Sequence, residues 1–111
     1  MIAKRPSIYI YTDSPDPVTL REICAGMEEE GVFYEISEHA GQELESLTWQ
    51  AANDSMLGSG VGLKGSRAAF QIRGLKQGQF IDYYAYPSKE DSRRLGANSA
   101  RAVKKRAFKE C

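Results

Sequence analysis

Three consecutive carboxylates, Glu28, Glu29 and Glu30, stand directly before Gly31 and are the groups in this chain best suited to meet a cation. At a helix C-terminus the dipole opposes them by about 1 kcal/mol in total. A solvated face tolerates that cost. A hard, oxygen-preferring cation such as Mg2+, shared with a partner, would offset it. The remaining candidates carry less chemistry. Gly60-Val61-Gly62-Leu63-Lys64-Gly65 has the spacing G-x-G-x-x-G, but a dinucleotide site needs those glycines between a strand and a helix, in the first βα turn. Here Ser66 to Ile72 reads as strand and the first βα turn has no glycine, so backbone turns explain the pattern better. His39 is the only histidine, has no cysteine or acidic pair at zinc-ligand spacing, and reads as a surface loop residue. No Ser/His/Asp set can be assigned, because such sets are defined by geometry. Tyr83, Tyr84 and Tyr86 fit alternating faces of a strand better than a base-stacking platform. Cys24 falls on an apolar helical stripe and reads as a small core residue, and Cys111 as a reduced terminal thiol.

The elements that must position these groups follow from periodicity. Ser7 to Tyr11 is β-branched and aromatic and reads as a strand. Asp16 is a suitable N-cap, Pro17 suits the first helical position, and Leu20, Ile23, Cys24 and Met27 line one helical face up to a stop at Gly31. Val32 to Ile36 reads as a second strand, parallel to the first by a right-handed crossover. A second helix spans roughly Gln42 to Ala52 with Leu44, Leu47, Thr48 and Ala51 inward. Trp49 lies beside that stripe as a core or interface anchor. Three more strands are expected over Gly60–Leu63, Arg67–Ile72 and Phe80–Tyr86, with a hairpin at Gly74 to Gly78. The last helix starts near Ser88 to Asp91 and turns Leu95, Asn98, Ala102 and Val103 inward. An inward amide must find hydrogen-bond partners, so Asn98 is expected to bond backbone near a strand end or across a subunit boundary. The order β-α-β-α-β-β-β-α predicts an α/β fold of three layers, α/β/α, around a mixed five-stranded sheet with one antiparallel strand. Residues 1–111 are expected to form one domain.

Hydrophobic residues make up 41% of the 111-residue chain and charged residues 27%, which fits a globular protein rather than a disordered one. No apolar run reaches the ~18 residues of a membrane span, and two cysteines make no disulfide framework, so a cytoplasmic protein without membrane contact is expected. The zero net charge conceals a polarity. Asp13 to Asp54 holds eleven acidic residues and one basic residue, whereas Lys64 to Cys111 holds twelve basic and four acidic. The two halves either neutralise each other in the fold or face a matched partner. The basic run from Arg101 to Lys109 reads as a solvated helix end complementing its dipole rather than as a phosphate contact, so no nucleic-acid partner is expected.

Three segments carry a family resemblance. Met27-Glu28-Glu29-Glu30-Gly31 resembles an IEEEG helix end, and Thr48-Trp49-Gln50-Ala51-Ala52 resembles an AWQAA second helix. Arg94 to Lys104 resembles the final helix GNNAARLVKG. Together they resemble the small subunit of the reactivating factor for adenosylcobalamin-dependent diol and glycerol dehydratases, whose fold is similar to the dehydratase medium subunit. The resemblance implies a non-catalytic accessory chain, chaperone-like in action. Its partners would be a large ATPase subunit, in an α2β2 assembly, and the dehydratase subunits, with which it is exchanged so that damaged cobalamin leaves. It implies ATP or ADP on the large subunit only, and association with a bacterial microcompartment. It also implies that Glu29 contacts a Mg2+ or Ca2+ ion at the subunit boundary. Ala97 replaces the family's first asparagine, while Asn98 keeps the second; Lys105-Arg106-Ala107-Phe108 departs from the family's Gly-Ile-Pro-Phe. Two alternatives stand beside this reading. One is a dehydratase medium subunit itself, which usually carries more sequence before the first strand. The other is an RNA-binding module resembling anticodon-binding domains.

Overall fold

The computed structural model describes residues 5–109, with side chains described as far as Lys104; Cys111 lies outside the described residues. The elements in chain order are β1 (Ile8–Asp13), α1 (Pro17–Glu29), β2 (Tyr34–Glu38), α2 (Leu44–Asp54), β3 (Ser59–Lys64), β4 (Arg67–Ile72), β5 (Asp82–Tyr84) and α3 (Lys89–Lys109). They form one five-stranded sheet in the order β2-β1-β3-β4-β5. β1 pairs in parallel with β2 and β3, and β4 runs antiparallel to both β3 and β5, so one strand of five is reversed as expected. The first crossover moves one way from β1 and the second moves the other way, which puts α1 and α2 on opposite faces.

Local chemistry sets the ends of α1 and α3. Asp16 Oδ2 accepts from Thr19 N at 2.9 Å, with Pro17 at the first helical position. At the other end of α1, Gly31 has φ +74° and its N–H reaches the Glu28 carbonyl at 3.0 Å, a left-handed stop that glycine adopts without steric cost. At the start of α3, Ser88 Oγ accepts from Asp91 N while Asp91 Oδ2 accepts from Ser88 N, a reciprocal cap. Several expected boundaries move by one or two residues, and two of the shifts show a local cause. β2 begins at Tyr34 rather than Val32, because Val32 N still bonds the Met27 carbonyl in the closing turn of α1. β5 shrinks to Asp82–Tyr84, the three residues that find partners on β4.

The main core lies between the sheet and the α1/α3 layer. Ile8, Ile10, Val61, Leu63 and Phe70 from the strands meet Ile23, Met27 and Leu95 from the helices. Cys24 belongs to the same cluster, and burial pushes its thiol pKa up, as suits a core residue rather than a nucleophile. On the opposite face Tyr11, Leu47 and Ala51 form a smaller cluster under α2.

Glycines let these layers touch backbone to backbone. A Cβ on Gly60 would stand 2.1 Å from Ala52 N, and one on Gly62 2.2 Å from Thr48 Oγ1. The glycines of the G-x-G-x-x-G pattern are therefore not all turn residues. Only Gly65, at φ +59°, makes the β3–β4 turn, while Gly60 and Gly62 clear the strand surface for α2. In the other layer, a Cβ on Gly26 would fall 2.1 Å from the Arg93 carbonyl oxygen, and one on Gly96 2.0 Å from that of Ile23. In an ordinary helix Gly→Ala is stabilising by about 1 kcal/mol. Here Gly96→Ala should instead destabilise by about 2–3 kcal/mol, because the obstacle is backbone that cannot rotate away. Urea unfolding of the variant measures the sign.

Candidate functional site

In open α/β sheets ligands usually enter the crevice at the carboxyl ends of the strands, where the order reverses beside β1. In this chain that crevice is filled by the chain itself. Lys64, at the end of β3, donates from Nζ to Asp13 Oδ2 at 2.6 Å and to the Gln42 carbonyl at 2.9 Å. The backbone closes the same gap, with Gly65 N on the Asp13 carbonyl at 3.1 Å and Asp16 N on the Gly65 carbonyl at 2.8 Å. Glu38 at the end of β2 accepts from Thr12 Oγ1 and Ser14 N. The hydrogen bond from Lys64 holds the Asp13 carboxyl below its ordinary range. Groups that could have gripped a small ligand here are bonded to one another.

The carboxylates of α1 meet a row of cations on α3. Arg93 reaches Glu22 Oε1 at 2.7 Å and Glu29 Oε2 at 2.9 Å. Arg101 and Lys104 converge on Glu30, at 3.0 and 3.2 Å. Lys104 Nζ also donates to the Glu30 carbonyl, one of the unsatisfied acceptors at the end of α1. The opposite charges of the two chain halves thus meet mainly across one helix pair. The basic run expected to be a solvated helix end is in part an ion-pairing surface; the side chains of residues 105–109 lie outside the description. Glu29 was expected to need an external cation, yet Arg93 already supplies one. Its carboxylate is still 57% exposed, and Oε1 accepts no bond among the described residues.

Trp49 is on α2 but outside its buried face, 37% exposed, so it is no core anchor. Asn98 is half-buried and donates from Nδ2 to Asp82 Oδ2 at 3.0 Å. The expected bond at a strand end is there, at the start of β5, but the acceptor is a side chain and not backbone. His39 is not a bare loop residue. Its ring stacks on Tyr11 at 4.1 Å, its backbone N–H donates to the Thr12 carbonyl, and its Nε2 is buried with no partner among the described residues. Tyr11 in turn donates to Asp54 Oδ2 at 2.6 Å, and burial with that carboxylate pushes its phenol pKa well up. Sequence reasoning passed over Arg93, Lys64, Gly26 and Gly96. The glycines were the available signal, since a glycine inside a helical pattern often marks a packing contact.

Two measurements check these contacts. Lys104 foremost, then Arg101, hold the Glu30 carboxyl below its ordinary 4.5, and Lys64 holds Asp13 below 3.8. A carboxylate depressed by folding adds stability above its unfolded pKa and loses it as pH falls through the folded value. The melting temperature should therefore drop on acidification below about pH 4.5, and Asp13→Asn with Glu30→Gln should flatten that slope in circular-dichroism melts. Separately, Asn98→Leu strips Asp82 of its donor and should cost about 1–2 kcal/mol in chemical unfolding.

The family described as dehydratase medium subunit matches residues 5–109. The chain is 28% identical over 107 residues to the propanediol dehydratase-reactivating factor small subunit of Citrobacter freundii, covering 96% of this chain and 92% of that protein. The structure of a diol dehydratase-reactivating factor complexed with ADP and Mg2+ superposes with a TM-score of 0.85 at 26% identity, over 92% of this chain and 95% of the other. A glycerol dehydratase reactivase superposes with a TM-score of 0.84 at 26% identity, over 90% and 93%. With one sheet, one helix order and the family match running along nearly its full length, this chain belongs to the dehydratase medium subunit family.

Proposed function

We propose that this chain is the small subunit of a reactivating factor for a cobalamin-dependent diol or glycerol dehydratase, acting by docking and exchange rather than by catalysis. The observation that carries the reading is likeness from end to end with a reactivating-factor small subunit, over 96% of this chain and 92% of the relative. The filled crevice at the strand ends supports it, because Asp13, Lys64 and Gly65 occupy the place where a doubly wound enzyme would hold its ligand. ATP and ADP then belong to a large ATPase partner, in an α2β2 assembly. The small subunit leaves that partner when a dehydratase subunit takes its place, a competition for one surface biased by nucleotide state. Among the described residues no helix is long and apolar enough to cross a membrane. A cytoplasmic setting, within or beside a bacterial microcompartment, fits this role. Trp49, too exposed to be core, is a candidate contact for either partner.

The same reading gives Glu29 a part at the boundary. Among the described residues no three carboxylate, histidine or cysteine groups gather to hold a metal ion, so a complete cation site is not formed here alone. Glu29 fits the smaller role of one ligand. Its exposed carboxylate keeps one oxygen free while Arg93 fixes the other, and a hard cation held mainly by the large subunit would accept it. Co-purification with the large ATPase subunit should therefore weaken in EDTA and in Glu29→Gln, and hold in Glu28→Gln. Glu30→Gln should lower the melting temperature first, since Arg101 and Lys104 lose their shared anion. Co-purification of all three variants at wild-type levels, indifferent to EDTA, would leave Glu29 a surface ion pair. Failure of the wild-type chain to bind the ATPase subunit, with binding to dehydratase subunits instead, would favour the medium-subunit alternative.

A further inference from the structure

β2 is left unfinished by this fold. It is an edge strand, and from Glu35 to Glu38 every residue is exposed. Parallel strands are ordinarily covered on both faces. Here α2 lies over β1, β3 and β4 on one face, leaving Glu35 and Ser37 open. On the other face the end of α1 covers Tyr34, whose hydroxyl bonds Glu28, but leaves Ile36 48% exposed. Phe33, just before the strand, is exposed as well.

The register shows which main-chain groups are free. Ile8 N bonds the Phe33 carbonyl and His39 N bonds the Thr12 carbonyl, so the odd-numbered residues of this stretch point their backbone groups at β1. In a parallel pair the alternate residues point away. Tyr34, Ile36 and Glu38 therefore present N–H and C=O groups outward, a ready edge for another strand. The strand itself carries two carboxylates, Glu35 and Glu38. Glu28, Glu35 and Glu38 form no ion pair among the described residues, whereas Glu22, Glu29, Glu30 and Asp13 all do. At the start of the strand Arg5 sits over the Phe33 ring, 4.6 Å from its centroid.

We infer that β2 accepts an extended, basic segment of the large partner subunit as a sixth strand, with an apolar side chain beside Ile36 and Lys or Arg beside Glu35. This rests on the proposed role as a reactivating-factor subunit. A second copy of this chain is the poorer occupant, because two such edges would bring carboxylates of one sign together. Addition at an edge draws affinity from main-chain bonds and specificity from the flanking side chains.

Ile36→Pro is the direct test. The Ile36 N–H points away from β1, so proline removes an outward donor and leaves the β1 ladder whole. The variant should melt within a few degrees of wild type and bind the purified large subunit roughly tenfold or more weakly. Ile36→Thr keeps the N–H and should bind within about threefold. A readout on the wild-type complex needs no variant at all. Hydrogen exchange should show new protection at Tyr34, Ile36 and Glu38 on complex formation, with little change at Glu35 and Ser37, which are already bonded. Wild-type binding without that alternation, or with undiminished affinity in a folded Ile36→Pro, would overturn the strand-addition inference alone. Absence of wild-type binding would remove it together with the functional reading.

Discussion

The closeness of α1 and α3 at Gly26 and Gly96 is the constraint on which most of this structure turns. At each glycine a single added carbon would stand about 2 Å from a carbonyl oxygen of the opposite helix. Helices that approach this closely have little freedom to slide, since any shift puts a side chain where backbone now lies. The crossing sets how Ile23 and Met27 share a core with Leu95, and it places the acidic row of α1 against the basic row of α3. Glu22 and Glu29 share Arg93, and Arg101 and Lys104 share Glu30. Exposed pairs of this kind contribute little singly. Their effect is to settle charges that the dipole at the end of α1 would otherwise leave opposed.

A similar closure governs the other helix layer. α2 rests on the bare backbone of β3 at Gly60 and Gly62. Its start is held by Lys64, which also grips Asp13 across the strand ends. A doubly wound sheet with an open crevice is a place for a small ligand. In the proposed role, the same sheet with its crevice bonded shut is a scaffold, and affinity for partners comes from its edges and helix faces.

The layers are unequal, and the inequality is informative. Two helices cover one face of the sheet and a single helix covers the other, so the rims of a five-strand sheet cannot all be shielded. On the β5 rim, Tyr83 stacks on Phe80 and Tyr86 is left almost fully exposed. On the β2 rim the exposed groups are an aliphatic side chain, carboxylates and free backbone. A chain that evolved to stand alone would blunt such rims, commonly with lysine or proline. These rims have neither within their strands.

Much of this was legible in the residues themselves. Asp16-Pro17, the stripe from Leu20 to Met27 and the stop at Gly31 define α1 by local rules, because caps, proline and glycine act on their own backbone. The strand periods and turn residues gave the element order, and the order gave the reversed β4, since a short hairpin connection cannot join parallel strands. What a single strand of letters could not convey was which distant groups meet. Glu29 and Glu30 looked like charges in want of a cation until α3 supplied Arg93, Arg101 and Lys104, some seventy residues away in sequence. Gly60 and Gly62 looked like turn or phosphate-loop glycines until α2 was seen lying on them. His39 looked idle until Tyr11 stacked beneath it, and Asn98 found its acceptor on Asp82 rather than on backbone. Local conformation depends on neighbours in the chain and is written there. Charge pairing, close backbone approach and exposure depend on neighbours in space, and only the packing of three layers decided those.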